Sequence, residues 1–399
     1  MTPPPSPDPR IAERLHGLPV LVVAQVSLHS AITGIRIVGP LLLLDAGAPA
    51  WQVGVLLACF GLGPLAVAWP VGRVVERRGY HRAMAVALVL GAAAGLVALA
   101  ASLFDGTPRL LLLCAGAAMG GGAANAGLVV AQRTAARMAH DAAALRGAFA
   151  WVGLAPPIAN LIGPVAAGAM LDATGATTAC AGLLAFTAAA ALLARAARTP
   201  PVPPPGQGGA PGSLLEVLRH PTVRRMMVVD LLITGGWDVH GFIVPTLGHA
   251  RGLSATAIGT VYGLFALGIA GVRMAIPWLA HRLRESWVLC GSMLASAAVY
   301  ALYPLGESAA YMGACAFALG VAIGAAQPML LSAMHQAVDE RHRGGVLALR
   351  TMWVGLGSVT VPVALAGAAA AIGPAAMLWA VGASVAAGSV FTRRRAAER

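Results

Sequence analysis

The chain contains no lysine, and aromatic residues make up only 5% and charged residues 11% of its 399 positions. A soluble domain carries about 25% charged residues. With hydrophobic residues at 58% and mean hydropathy at +0.77, folding as ordinary water-soluble domains is excluded. That much apolar surface requires a bilayer to cover it. Cysteine is also sparse. Cys59, Cys114, Cys180, Cys290 and Cys315 lie far apart inside apolar runs, with no CxxC and no histidine at ligand spacing. They read as small buried hydrophobes rather than as a disulfide framework or a zinc site. There is no Walker A loop, no HExxH and no Ser-His-Asp arrangement that the sequence can support. The chain therefore reads as a non-enzyme with no cofactor and no metal.

What is abundant is arginine. The net charge is +12 and the pI is near 10.8, a balance that in another protein points to nucleic acid. Nucleic-acid binding needs those charges gathered on one surface, with aromatics for stacking, and here aromatics are scarce. No nucleic-acid partner is expected.

Apolar stretches long enough to cross a bilayer, about 20 residues at 1.5 Å each, recur twelve times. They fall at roughly 17–44, 51–72, 83–104, 109–132, 147–170, 175–196, 225–247, 255–279, 286–304, 308–333, 345–370 and 372–391. Nothing alternates with period two over a barrel-strand length, so the predicted class is an all-α membrane protein of twelve transmembrane helices. The start, MTPPPSPDPR, is Pro-rich and lacks the pattern of a signal peptide. The expected organisation is a disordered tail at 1–16, a six-helix bundle at 17–196, a Pro/Gly linker at 197–224, a second bundle at 225–391 and a basic tail at 392–399. Ser213–His220 reads as a short surface helix within the linker.

The two halves echo each other. A shift of 205 lays GVLLACFGLG (54–63) on GTVYGLFALG (259–268) and Pro40 on Pro245. A shift of 202 lays Trp151-Val-Gly-Leu on Trp353-Val-Gly-Leu and Asn125 on Gln327. A near-constant offset is the mark of two parallel repeats, a known transporter plan.

Polar groups in hydrocarbon cost about 2.5–3.5 kcal/mol each when ionisable, so each calls for a reason. Gln25, His29, Thr33 and Arg36 form one helical stripe in the first stretch. The positions 205 later are Asp230, Thr234, Asp238 and Gly241, with Trp237 and His240 flanking Asp238. Two such stripes facing a shared cavity would bring Arg36 toward Asp238, either as a static brace or as a proton-coupling pair. His29 and His240 could carry the proton instead, and His29 reads equally as a packing residue. Asn125 and Gln327 read as substrate hydrogen-bonders or as interhelical bonds. Arg273 reads as snorkelling, and Trp151 and Trp353 as interfacial anchors. Pro156-Pro157, Pro164 and Pro362 are expected to kink their helices.

All but four of the 27 arginines fall on one side of this topology; Arg109 and Arg251 lie on the other, and Arg36 and Arg273 lie within the stretches. By the positive-inside rule the arginine-rich side, with both termini, is cytoplasmic, and anionic lipid headgroups are its partners.

The segment after the second stretch, Gly72-Arg-Val-Val-Glu76-Arg77-Arg-Gly79-Tyr-His-Arg82, resembles the loop 2–3 signature of the major facilitator superfamily, G-x-x-x-D-R-x-G-R. Gly72, Arg77 and Gly79 match; Glu76 replaces the aspartate, and Arg82 stands later than the family's basic residue. Gly163-Pro164-Val-Ala-Ala-Gly168 is similar to the tail of the antiporter motif, without its upstream glycines. The resemblance spans essentially the whole chain. It implies two six-helix bundles that rock about a midplane site, with Glu76 latching the cytoplasmic gate by capping a helix of the other half or by pairing with a basic residue, Arg133 being preferred. In the second half His281-Arg282-Leu-Arg284 keeps the basic character without the acid. The expected protein is a monomeric secondary transporter of a small organic solute or drug in a bacterial cytoplasmic membrane, proton-coupled, with export slightly favoured. The alternatives are an uncoupled facilitator or importer of a small organic anion or sugar, and a non-transporting receptor or scaffold.

Overall fold

The computed structural model describes residues 17–139, 142–199, 218–279, 284–339 and 343–392. The tails at 1–16 and 393–399, most of the linker including 213–217 of its expected short helix, and His281 and Arg282 lie outside the described residues. Among the described residues the regular structure is helical, with twelve segments long and apolar enough to cross a membrane.

The helices are α1 (Gly17–Asp45), α2 (50–78), α3 (80–101), α4 (Gly106–Met138), α5 (Ala142–Thr174), α6 (Ala176–Ala196), α7 (Pro221–Ala250), α8 (Ala255–Leu279), α9 (Glu285–Leu302), α10 (Ala309–Gln336), α11 (Arg343–Ile372) and α12 (Pro374–Gly388). A 3₁₀ turn, Ser389–Thr392, continues α12. The expected loop between the second and third stretches is not a loop. Helix runs on through the charged segment and breaks at one residue, Gly79, with φ 78° and ψ −174°. Only glycine enters that region without a steric cost, so a single position turns the chain. Several helices reach 29–33 residues, about 45–50 Å at 1.5 Å per residue, longer than the roughly 30 Å hydrocarbon core. They tilt or project beyond it.

Lipid gives helices no hydrophobic drive to associate, so close backbone approach through small residues holds the bundles together. Gly63 of α2 lies against the Ala118 carbonyl of α4, and Gly121 lies against the Phe60 carbonyl. In the second half Gly268 of α8 lies against the Phe317 carbonyl of α10, and Gly320 against that of Phe265. Gly63 and Gly268, like Phe60 and Phe265, are 205 apart, so the internal repeat is a repeat of contacts.

The halves meet along α5–α8 and α2–α11. At the end away from the linker, Gly168 of α5 touches the Ala255 carbonyl and Gly259 of α8 touches the Pro164 carbonyl. A Cβ on Gly54 of α2 would stand 2.8 Å from the Pro362 carbonyl of α11. Asp172 accepts the N–H groups of Ala255 at 3.0 Å and Thr256 at 2.8 Å, and His249 Nδ1 lies 3.3 Å from Asp45 Oδ1. Toward the linker end the α5–α8 seam loosens: Gly153 on α5 and Gly271 on α8 have no neighbour within 4 Å of where a Cβ would stand. The molecule is therefore sealed at one end and open at the arginine-rich end. The prolines named above, with Pro40 and Pro245, sit inside continuous helices.

Candidate functional site

Between the halves lies a cavity of about 550 Å³, walled by α1, α2, α4, α5, α7 and α11. At its base, Arg36 Nη2 of α1 stands 3.5 Å from Asp238 Oδ1 of α7, an ion pair that crosses from one half to the other. The side chains are 22% and 8% exposed. The guanidinium also lies over the Phe60 ring, 5.6 Å from its centroid, and its Nε is buried without a partner. Gly241, the position 205 after Arg36, makes room for it: a Cβ there would come within 3.3 Å of Nη2.

The remaining stripe residues divide between wall and scaffold. His29, Thr33, Asn125 and Trp237 line the cavity. Thr33 is tied down, its hydroxyl donating to the Ala159 carbonyl at 3.1 Å. Trp237 packs edge-on to Phe265 at 5.0 Å between centroids. His29 Nδ1 is buried with no partner. Gln25 lies outside the wall, fully buried, with Nε2 donating to the Ala124 carbonyl of α4 at 3.2 Å. His240 is also outside it. Its ring stacks on Phe265 at 4.0 Å with both nitrogens buried and unpartnered, so it sits as an apolar packing element. Gln327 takes a hydrogen bond from Arg273 Nη2 and does not face the cavity.

Asp230 is wholly buried behind the wall, with Arg350 Nη2 of α11 at 3.1 Å from its Oδ1. Thr234 donates to the Asp230 carbonyl and lies 3.3 Å from Oδ1. Arg350 itself does line the cavity. The sequence reading places it among the basic charges flanking the membrane, although it falls inside the 345–370 stretch, and that position is what marks it as an intramembrane charge. Gln132, Asn160 and Ser358, also in the wall, gave no comparable signal, because isolated amides and hydroxyls inside helices are inexpensive.

At the linker end, Glu76 pairs with Arg133. Gly72 lets the guanidinium lie close, since a Cβ would stand 3.0 Å from Nη2, and Arg137 Nη2 donates to the Val75 carbonyl at 3.0 Å. Both partners belong to the first half, so in this open form the pair spans no gate. Arg77 and Arg82 are exposed. Gly163 packs on the Ser30 carbonyl of α1, whereas Pro164 and Gly168 belong to the α5–α8 seal. Trp353 donates from Nε1 to the Met227 carbonyl at 2.9 Å, an interhelical bond. At the sealed end, both flanking arginines are engaged. Arg109 reaches Asp105 and the Leu42 and Phe104 carbonyls, and Arg251 reaches the Pro304 carbonyl.

No curated protein matches the chain. Among solved structures it is similar to a nucleoside transporter, NupG, crystallised as a point mutant, at TM-score 0.77 and 12% identity, covering 95% of this chain and 98% of that one. The human organic anion transporter MFSD10 (TETRAN) aligns at TM-score 0.68 and 16% identity over 95% and 99% of the chains. A bacterial homolog of the human lysosomal transporter Spinster, inward-facing and unoccupied, aligns at 0.70 and 14% over 95% and 94%. At these identities the likeness is one of fold. The sequence profile described as Major Facilitator Superfamily matches residues 21–362 and 231–397. Twelve membrane-capable helices, a contact-level internal repeat and a central cavity thus meet a family profile over nearly the whole sequence, and the chain belongs to the Major Facilitator Superfamily of membrane transporters of small solutes.

Proposed function

We propose that this transporter is a secondary active carrier, coupled to protons through Asp238 and Arg36, that moves a small organic solute across a bacterial cytoplasmic membrane. The observation that carries the reading is the ion pair between the halves at the base of the cavity. A buried carboxylate is tolerated while its guanidinium stays close, and separating the two leaves a charge that costs several kcal/mol. Any step that parts α1 from α7, or draws Arg36 elsewhere, is therefore linked to protonation of Asp238. This pair can sense both the conformation and the cargo. The arginine-rich, open end is assigned to the cytoplasm by the positive-inside rule, making this the inward-open form, and the working unit is a monomer. In this reading Glu76 exchanges Arg133 for a helix N-terminus of the other half when the cytoplasmic end closes.

The slight lean toward export rested on Gly163-Pro164 and Gly168. Gly163 packs on α1 and Pro164 and Gly168 on α8, an arrangement that serves either direction of transport. Purified protein in proteoliposomes should accumulate substrate in response to an imposed pH gradient and lose accumulation with an uncoupler. Flux indifferent to both would establish the uncoupled-facilitator alternative in its place.

A further inference from the structure

We propose that the cargo is an elongated organic anion with acidic groups at both ends, held between Arg36 and Arg350, and that it binds together with a proton rather than in exchange for one. This rests on the reading of Asp238 as the coupling carboxylate and adds the substrate class and the second anchor.

The wall of the cavity is electrostatically lopsided. Arg36 and Arg350 both line it and are 22% and 21% exposed, whereas Asp238 is 8% exposed and Asp230, behind Arg350, is 0% exposed and absent from the wall. An entering molecule meets guanidinium more readily than carboxylate. Each guanidinium holds its aspartate through Nη2 alone and keeps a buried, unpartnered Nε. Arginine carries five donors in a fork that matches a carboxylate or phosphate. The Arg36–Asp238 distance of 3.5 Å is long for a charge-assisted bond, which is ordinarily about 2.7–2.9 Å. Both arginines have donor capacity to spare.

The spacing sets the shape of the ligand. Asp230 and Asp238 are eight residues apart on α7, about 12 Å along the helix at 1.5 Å per residue. Each guanidinium stays within 3.5 Å of its own aspartate, so the two anchors suit a ligand that carries one acidic group at each end. Between them the wall offers Phe60, Leu57, Trp237 and Val354, an apolar bed for a carbon skeleton. A cavity of about 550 Å³ is of the size that small organic molecules fill.

The coupling sign follows from the charges. The titratable and charged groups around Asp238 are Arg36 and His29 from α1, Tyr262 from α8, Tyr300 from α9 and, across the cavity, Arg350 from α11, while His240 on its own helix turns away onto Phe265. Neither phenol donates to it: Tyr262 donates to the Gly241 carbonyl at 2.6 Å and Tyr300 to the Gly236 carbonyl at 3.0 Å. An acid group that captures Arg36 removes the cation compensating Asp238, and the stranded carboxylate takes up a proton. Anion and proton then travel in the same direction, and an inward proton gradient drives uptake. A cationic cargo would do the reverse and displace the proton.

The test uses purified full-length protein and a ladder of linear dicarboxylates of increasing length, with matched monocarboxylates, diols and diamines. Thermal stabilisation should peak at one dicarboxylate length. Arg36→Gln and Arg350→Gln should each weaken that ligand by about ten- to a hundredfold, the worth of one charge-assisted contact, and level it with the monocarboxylate. Because Arg350→Gln strands buried Asp230, the double variant Asp230→Asn/Arg350→Gln, which removes both charges, supplies the same comparison on a compensated fold. In weakly buffered solution binding should consume protons in the parent protein and not in Asp238→Asn. Preference for diamines or diols, undiminished dicarboxylate binding in the double variant, or proton release on binding would each overturn the proposal. A pH-driven flux of a non-acidic solute would sink this inference and leave proton coupling standing. Dicarboxylate binding without pH-driven flux would do the opposite.

Discussion

Asp172, in the last turn of α5, holds the first turn of α8: its Oδ2 accepts the N–H of Thr256 at 2.8 Å. Oδ1 takes the neighbouring Ala255 N–H at 3.0 Å. A carboxylate from one half thus caps a helix of the other at the sealed end, where unpaired N–H groups and the helix dipole favour negative charge. Asp172→Ala should cost the sealed form about 1 kcal/mol, the value of a cap, and shift the population about fivefold toward the form open at that end. Labelling of a cysteine placed at Leu253, which lies in the same seam, by a membrane-impermeant thiol reagent reads the shift. An unchanged labelling rate would remove Asp172 from the seal.

Gly168 and Gly367 make a matched pair of probes. A methyl group at Gly168 would collide with the Ala255 carbonyl, whereas Gly367 has no neighbour within 4 Å. Gly168→Ala should raise the same labelling, and Gly367→Ala should leave both labelling and thermal stability within about 0.5 kcal/mol of the parent, as open-surface changes do. Equal effects from the two would contradict the packing described for α5 and α8.

Asp238→Asn keeps the shape of the pair and removes the proton-accepting charge. Accumulation driven by a pH gradient should disappear while solute exchange at equal pH on both sides persists. Accumulation equal to that of the parent would take Asp238 out of the coupling role.

His240→Phe should be tolerated. The imidazole stacks on Phe265 with both nitrogens buried and unpartnered, and an unsatisfied buried polar group costs about 1–3 kcal/mol. The variant should melt no lower than the parent and keep its pH–transport profile. A flattened profile would make His240, rather than Asp238, the proton carrier.

The architecture was legible because lipid makes simple demands. Every backbone polar group must be satisfied internally, so apolar length alone located the helices and the 205-residue offset located the duplication. Which polar residues share a wall was only partly legible. Arg36 and Asp238 came together as the stripe suggested, because both project along the faces that bound the cavity. His240, two positions from Asp238, points away from the cavity and joins the aromatic packing of α8. Gln25 and Gln327 were diverted to a carbonyl and to Arg273. In hydrocarbon any donor within reach of a protein acceptor takes it, and a lone sequence gives no measure of that reach. Arg350 escaped because position near a helix end does not distinguish a charge that snorkels from one that turns inward to a buried aspartate. The break at Gly79 hid inside a motif whose glycine reads equally as loop or as hinge.

The sealed end has an energetic consequence. Its contacts include glycines against carbonyls, two backbone N–H groups on one carboxylate and one histidine–aspartate pair. Prising it apart frees polar groups that the entering water can satisfy, which offsets part of the packing lost. The inward- and outward-open forms can then lie close to isoenergetic. That near-degeneracy lets a carrier turn over quickly, since neither form becomes a resting place from which each cycle must climb.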